Sequence, residues 1–207
     1  MKELHYFNRF AYTPFDGNAI REYHRQFPRP AHSKAGEWTP RYMYDFWTPA
    51  LLARAAPEAK LLVLLRDPIE RYRSGFGLGT SMAKTPRPAA MTRLANEQLR
   101  RGLYYEQLTS LLEHFDREQL LVLQYERCVK DPVAQLQRTY EFLELVPHDH
   151  VPRSIHERVG RKRPGTALSE ELIGILKHRF ADDVSQLART FAEIDLALWP
   201  HFGSAEQ

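Results

Sequence analysis

Lys60-Leu-Leu-Val-Leu-Leu-Arg66-Asp-Pro-Ile-Glu-Arg-Tyr-Arg-Ser74 decides how this chain folds. Leu61 to Leu65 run without a polar break, as expected of a central parallel strand buried on both faces. Arg66 and Asp67 end the run. Pro68 suits the first turn of a following helix, where no backbone donor is needed, and Asp67 suits the N-cap before it. A strand passing directly into a helix is the geometry of an α/β ligand site, because ligands collect at the carboxyl ends of parallel strands. Arg66 leaves the strand at that edge, and Ser74 follows about two helical turns on. A guanidinium and a hydroxyl directed at one point suit a phosphate. The competing reading is a capped helix with Arg66 in a surface ion pair.

The 207 residues are 43% apolar, enough for one domain spanning 1–207 with its own core. A net charge of +3 and a pI near 9.0 suit an anionic ligand. Apart from Arg161-Lys-Arg163 the basic residues are dispersed, which argues against nucleic acid as a partner. A single Cys, Cys128, excludes an internal disulfide framework and a Cys-based zinc site. No apolar run approaches the roughly 20 residues that span a bilayer. The first residues do not read as a signal peptide, so a cytoplasmic location is the expectation.

Outward from the central stretch, alternation over Met1–Phe10 predicts a short strand, and a helix is expected around Asn18–Phe27. Thr48 reads as N-cap of a helix to Ala56, with Pro49 at its first position. Gly75, Gly77 and Gly79 are expected to end the helix that carries Ser74, with a loop over residues 80–89. Helical spacing returns from Ala90 to Phe115, with a break near Gly102. Leu120–Tyr125 reads as a second buried strand. Asp131-Pro132 opens a helix to about Leu145, Arg153–Arg163 reads as loop, and two further helices are expected over Ser169–Phe180 and Asp182–Phe191.

Arg66-Asp-Pro-Ile-Glu-Arg-Tyr-Arg-Ser74 resembles the 3′-phosphate-binding motif of sulfotransferases that use 3′-phosphoadenosine 5′-phosphosulfate as co-substrate. The order of other segments agrees with the carbohydrate, heparan sulfate-like type. Lys2-Glu-Leu-His-Tyr-Phe7 resembles K-E-x-H-[FY]-F, and Gly36-Glu-Trp-Thr-Pro-Arg-Tyr42 resembles G-E-x-T-P-x-Y. Gly102-Leu-Tyr-Tyr and the helix and strand after it follow the family order as well.

The resemblance implies an α/β fold with a parallel sheet flanked by helices, of the P-loop NTPase-like kind. It also implies sulfuryl transfer to a hydroxyl of a carbohydrate, without a metal. Glu3 is then the general base with His5 beside it. Arg66 and Ser74 bind the 3′-phosphate, Tyr104 lies near the nucleotide, and Arg161, Lys162 and Arg163 lie on a loop over its phosphates.

Two departures stand out. Trp38 occupies a position where the heparan sulfate branch has Lys; read from residues alone it is a core plug. The family's Gly-rich 5′-phosphosulfate loop, with its strand and helix, would precede Glu3, and the sequence begins on that segment. Weak or absent transfer by the 207 residues is therefore expected. A kinase-like reading needs a Gly-rich loop with a Mg²⁺-binding Ser or Thr, which is not found. A non-catalytic binder of adenosine bisphosphate or an anionic glycan remains the alternative.

Overall fold

The computed structural model describes residues 3–28, 33–82, 87–146, 153–156 and 167–203. In chain order its main elements are α1 (Gly17–Arg25), α2 (Thr48–Ala55), β1 (Leu61–Leu65), α3 (Pro68–Met82), α4 (Pro88–Arg100) and α5 (Tyr104–Leu112). They are followed by β2 (Leu120–Gln124), α6 (Tyr125–Lys130), α7 (Pro132–Phe142) and α8 (Glu170–Thr190). β1 and β2 are parallel, with Leu61 opposite Leu120 and Leu65 opposite Gln124. Helices around a parallel sheet make the fold α/β. By internal contacts the chain forms two compact units, one of Met1–Ala59 with Glu106–Gln119 and one of Lys60–Tyr105 with Leu120–Gln207.

The first unit is built on aromatic rings. Phe7 lies 4.9 Å from Tyr23 and 5.0 Å from Tyr42, and Phe10 and Phe15 stand edge to face at 4.9 Å. Such offset and edge contacts add to the area these rings bury. The expected strand over Met1–Phe10 is not formed among its described residues, 3–10. Residues Tyr6–Ala11 make a 3₁₀ turn instead, entered through a left-handed His5 at φ 51°. Tyr6, Phe7 and Phe10 are spaced by one, three and four, which is a helical spacing, and the Tyr6 and Phe10 rings meet at 5.5 Å. Trp38 is not a core plug, because it is 64% exposed. α1 starts on an Asp16 cap whose Oδ1 accepts from the Ala19 amide. α2 begins at Thr48 itself, one residue earlier than expected, with Trp47 at the cap position.

In the second unit β1 buries Val63 and Leu65 but leaves Leu62 and Leu64 exposed, so it is covered on one face and not on both. β2 is the more buried strand, with Val122 fully enclosed. α3 does not end at its glycines. Two of them are where α4 comes close: a Cβ on Gly75 would collide with Gln98, and one on Gly79 would lie 2.5 Å from Leu94. Close packing of two helices thus outweighs the low helix propensity of Gly.

α8 is one helix of 21 residues and not two. Leu176, Phe180, Val184 and Leu187 continue a single buried stripe across the expected break. Asp183, buried on that stripe, accepts from the Tyr105 amide at 3.1 Å, supplying a partner to a donor that the start of α5 leaves over.

Gly102 lies in the turn between α4 and α5. A Cβ there would stand 2.7 Å from two ring carbons of Phe180 and 3.3 Å from Pro68 Cβ. Phe180 is fully buried. Gly102→Ala is therefore expected to destabilise by ~1–3 kcal/mol. Urea unfolding is the check, and an unchanged midpoint would show that the turn yields freely.

Candidate active site

In the second unit Arg66 and Asp67 occupy the carboxyl end of β1, and Pro68 opens α3. Asp67 is fully buried. Its Oδ1 accepts from the amides of Ile69 and Glu70 at 2.9 and 3.1 Å, so it caps α3 as expected. Its other oxygen, Oδ2, accepts from the His201 amide and from His201 Nδ1, each at 3.1 Å. The Asp67 amide donates to Glu126 Oε1 at 3.0 Å, and Glu126 Oε2 accepts from Trp199 Nε1 at 3.0 Å. Gln124 closes the same end of β2 by exchanging two hydrogen bonds with the backbone of Asp195. The side chains of Asp67, Gln124 and Glu126 thereby each gain partners, as low-dielectric burial requires.

Arg66 is positioned from three sides. Its carbonyl accepts from the Tyr104 hydroxyl at 2.9 Å, and its guanidinium lies 5.1 Å from the Tyr125 ring centroid. Its remaining contact is a long one, 3.4 Å to Glu70 Oε2. Tyr104 is buried against Trp199 at 6.2 Å between centroids, and burial pushes its hydroxyl far above the ordinary phenol range. It therefore stays a donor at any working pH.

Ser74 is exposed on α3, one turn beyond Glu70 and on the same stripe. Glu70 thus stands between Arg66 and Ser74. Glu70 Oε1 also takes a 2.5 Å contact from Arg73 and lies 3.9 Å from His201 Nε2. Arg161, Lys162 and Arg163 lie outside the described residues.

In the first unit Glu3 and His5 form a pair, with Glu3 Oε2 3.1 Å from His5 Nε2, and both are partly exposed. On its other side His5 Nδ1 is 3.5 Å from Asn8 Nδ2. The buried Asn8 Oδ1 has no partner. Rotating that amide by half a turn brings Oδ1 to His5 Nδ1, so Asn8 can serve either tautomer of the imidazole.

The turn carrying this pair is tied to Tyr42 of the Gly36–Tyr42 segment and to Trp47 before α2. The Tyr6 amide donates to Tyr42 Oη at 2.6 Å, and Trp47 Nε1 donates to the Phe7 carbonyl at 3.1 Å. Burial, with Glu37 adding to it, pushes the Tyr42 hydroxyl up to about 12. Glu37 itself accepts from Tyr23 and from Thr39, at 2.9 Å each. Arg41, one cation near Trp38, is paired with the buried Asp45 at 2.8 Å.

Cys128 is half-buried and its thiol is held above the ordinary range by burial, which makes it a poor nucleophile. Among the described residues no group of three or more His, Cys, Asp or Glu is arranged to hold a metal ion. No described helix is long and apolar enough to cross a membrane.

Sequence reasoning did not single out Glu70, Arg73, Glu126, Trp199 or His201. The spacing Arg66-x₃-Glu70-x₂-Arg73 carried a visible signal for ion pairs along a helix face. Nothing in the sequence marked His201, which reaches Asp67 across 134 positions.

Comparison with known proteins agrees with this architecture. Residues 8–180 match the family model described as the sulfotransferase domain. Heparan sulfate glucosamine 3-O-sulfotransferase 3B1 of Mus musculus is 31% identical over 121 residues, which is 53% of this chain and 30% of that protein. The 3A1 protein of the same organism matches equally, and the human 3B1 protein is 29% identical over the same length. The chain therefore matches less than a third of the length of these relatives. A crystal structure of a sulfotransferase from Alicyclobacillus acidocaldarius superposes with a TM-score of 0.73 and 25% identity, covering 96% of this chain and 86% of that one. The chain belongs to the sulfotransferase domain family.

Proposed function

We propose that this chain transfers a sulfuryl group from 3′-phosphoadenosine 5′-phosphosulfate to a hydroxyl of a carbohydrate. The acceptor oxygen forms a bond to sulfur as the bond from sulfur to the 5′-phosphate oxygen breaks. The electron pair leaves with adenosine 3′,5′-bisphosphate, and the hydroxyl proton passes to the Glu3 carboxylate. His5, 3.1 Å away, orients that carboxylate. Arg66 and Ser74 bind the 3′-phosphate, which is remote from the reacting bond and supplies orientation. The carbohydrate acceptor is supported by the names of the heparan sulfate relatives.

The observation that carries the proposal is the state of Arg66. Tyr104, Tyr125 and the strand end fix its position, yet its contact with the Glu70 carboxylate is long, at 3.4 Å. A charge-assisted contact is normally ~2.7–2.9 Å, so a phosphate can displace Glu70 from Arg66 at little cost.

Adenosine 3′,5′-bisphosphate is expected to bind more tightly than adenosine 5′-monophosphate. Arg66→Ala should remove most of that difference, ~1.5–3 kcal/mol for a charge-assisted contact. Titration calorimetry measures both. Equal affinities with Arg66 intact would make the motif structural.

A further inference from the structure

We propose that His201 is a positioning residue of the phosphate site and takes up a proton when an anion engages Arg66. The inference rests on the reading of Arg66 and Ser74 as phosphate ligands. It starts from Glu70, a carboxylate standing on the α3 stripe between them. An anion held by both would lie beside that carboxylate, and two negative charges at close range disfavour each other. Something must hold Glu70 away and offset its charge.

Two groups are in place to do so. Arg73 Nη1 is 2.5 Å from Glu70 Oε1, and His201 Nε2 is 3.9 Å from the same oxygen. The His201 ring is not free to turn. Its Nδ1 and its own amide both face Asp67 Oδ2 at 3.1 Å. Asp67 is an acceptor there, so Nδ1 carries the hydrogen and Nε2 is left to meet Glu70. A neutral ring presents a lone pair at Nε2, which repels a carboxylate; a protonated ring presents an N–H, which attracts it.

The charged groups that meet the ring are Asp67 before α3 and Glu70 on α3, while Glu126 of α6 is joined to the Asp67 amide and to Trp199. Arg66 and Arg73 lie beyond Glu70. When Arg66 turns from Glu70 to an anion, Glu70 loses one cationic partner. Protonated His201 replaces it. Histidine is the side chain suited to this exchange near neutral pH.

Nucleotide binding is then coupled to proton uptake, and by linkage a lower pH strengthens binding. The test is calorimetry of adenosine 3′,5′-bisphosphate binding at pH 7 in two buffers of different ionisation enthalpy, which counts protons exchanged. His201→Asn keeps a donor where Nδ1 stands and removes the titrating nitrogen. Glu70→Gln keeps His201 and removes the carboxylate that makes its proton useful.

The unaltered protein is expected to take up more protons than either variant. It should also bind the bisphosphate roughly twofold to fivefold more tightly than His201→Asn at pH 6, with the difference gone at pH 8.5, as for a partly screened pair. Ionisation of the ligand's own phosphates is common to all three proteins and cancels. Adenosine 5′-monophosphate should show no such difference.

If the bisphosphate is preferred over the monophosphate and all three proteins take up protons equally, this inference falls alone. Equal binding of the two nucleotides by the unaltered protein overturns the phosphate reading and this inference with it.

Discussion

Glu3→Gln is expected to lower turnover by ~10²–10⁴-fold, the usual worth of a positioned base. Affinity for adenosine 3′,5′-bisphosphate should stay within a small factor of the starting value, because the proposed role of Glu3 is toward the acceptor hydroxyl. A loss carried by turnover and absent from nucleotide binding identifies a group that acts only in the transition state. Gln keeps the shape and can still bond His5, so the loss reports the missing proton acceptor and not a collapsed turn. His5→Ala should cost less, since the imidazole orients Glu3 and does not take the proton. The assay is transfer of radiolabelled sulfate to mixed glycan acceptors, with the 207 residues and with any residues the gene encodes ahead of Met1. If His5→Ala abolished turnover while Glu3→Gln left it intact, the two roles would be exchanged.

Trp199→Ala is expected to cost ~3–5 kcal/mol of stability, the range for a large buried aromatic. The indole is fully buried and lies against Tyr104 and Phe202 at 6.2 and 6.3 Å. Its Nε1 is a partner of Glu126, whose other oxygen holds the Asp67 amide. Removing the ring therefore opens a cavity and strands a carboxylate oxygen at the end of the sheet. Trp199→Phe separates the two effects, because it fills most of the space and lacks the donor. Chemical unfolding of both variants measures the difference. A cost below ~1 kcal/mol for Trp199→Ala would mean that the segment after α8 docks without it.

The fold was legible where one short signal sufficed. Leu61–Leu65 ran straight into Asp67-Pro68, and the strand, cap and helix stand at those positions. Leu120 likewise opens the second strand. The errors came from signals that depend on a neighbour. Gly75 and Gly79 read as helix breakers because the approach of Gln98 and Leu94 is invisible along the sequence. Alternation in Leu4, Tyr6 and Asn8 imitated a strand, while the decisive spacing was that of Tyr6, Phe7 and Phe10. Trp38 looked like core because large aromatics usually are, yet it faces water. The same division holds for the candidate site. Arg66 and Ser74 are written within one short stretch, whereas His201 reaches Asp67 only through the docking of the segment after α8.

The bond between Asp67 and His201 also sets a clock on biosynthesis. The two residues are 134 positions apart, and at ~5–20 residues per second a ribosome needs roughly 7–27 s to travel between them. Through that interval the carboxylate that starts α3 lacks its distant partner, although β2 is made long before His201 and can already pair with β1. The strand–helix junction can be completed only after residue 201 has emerged.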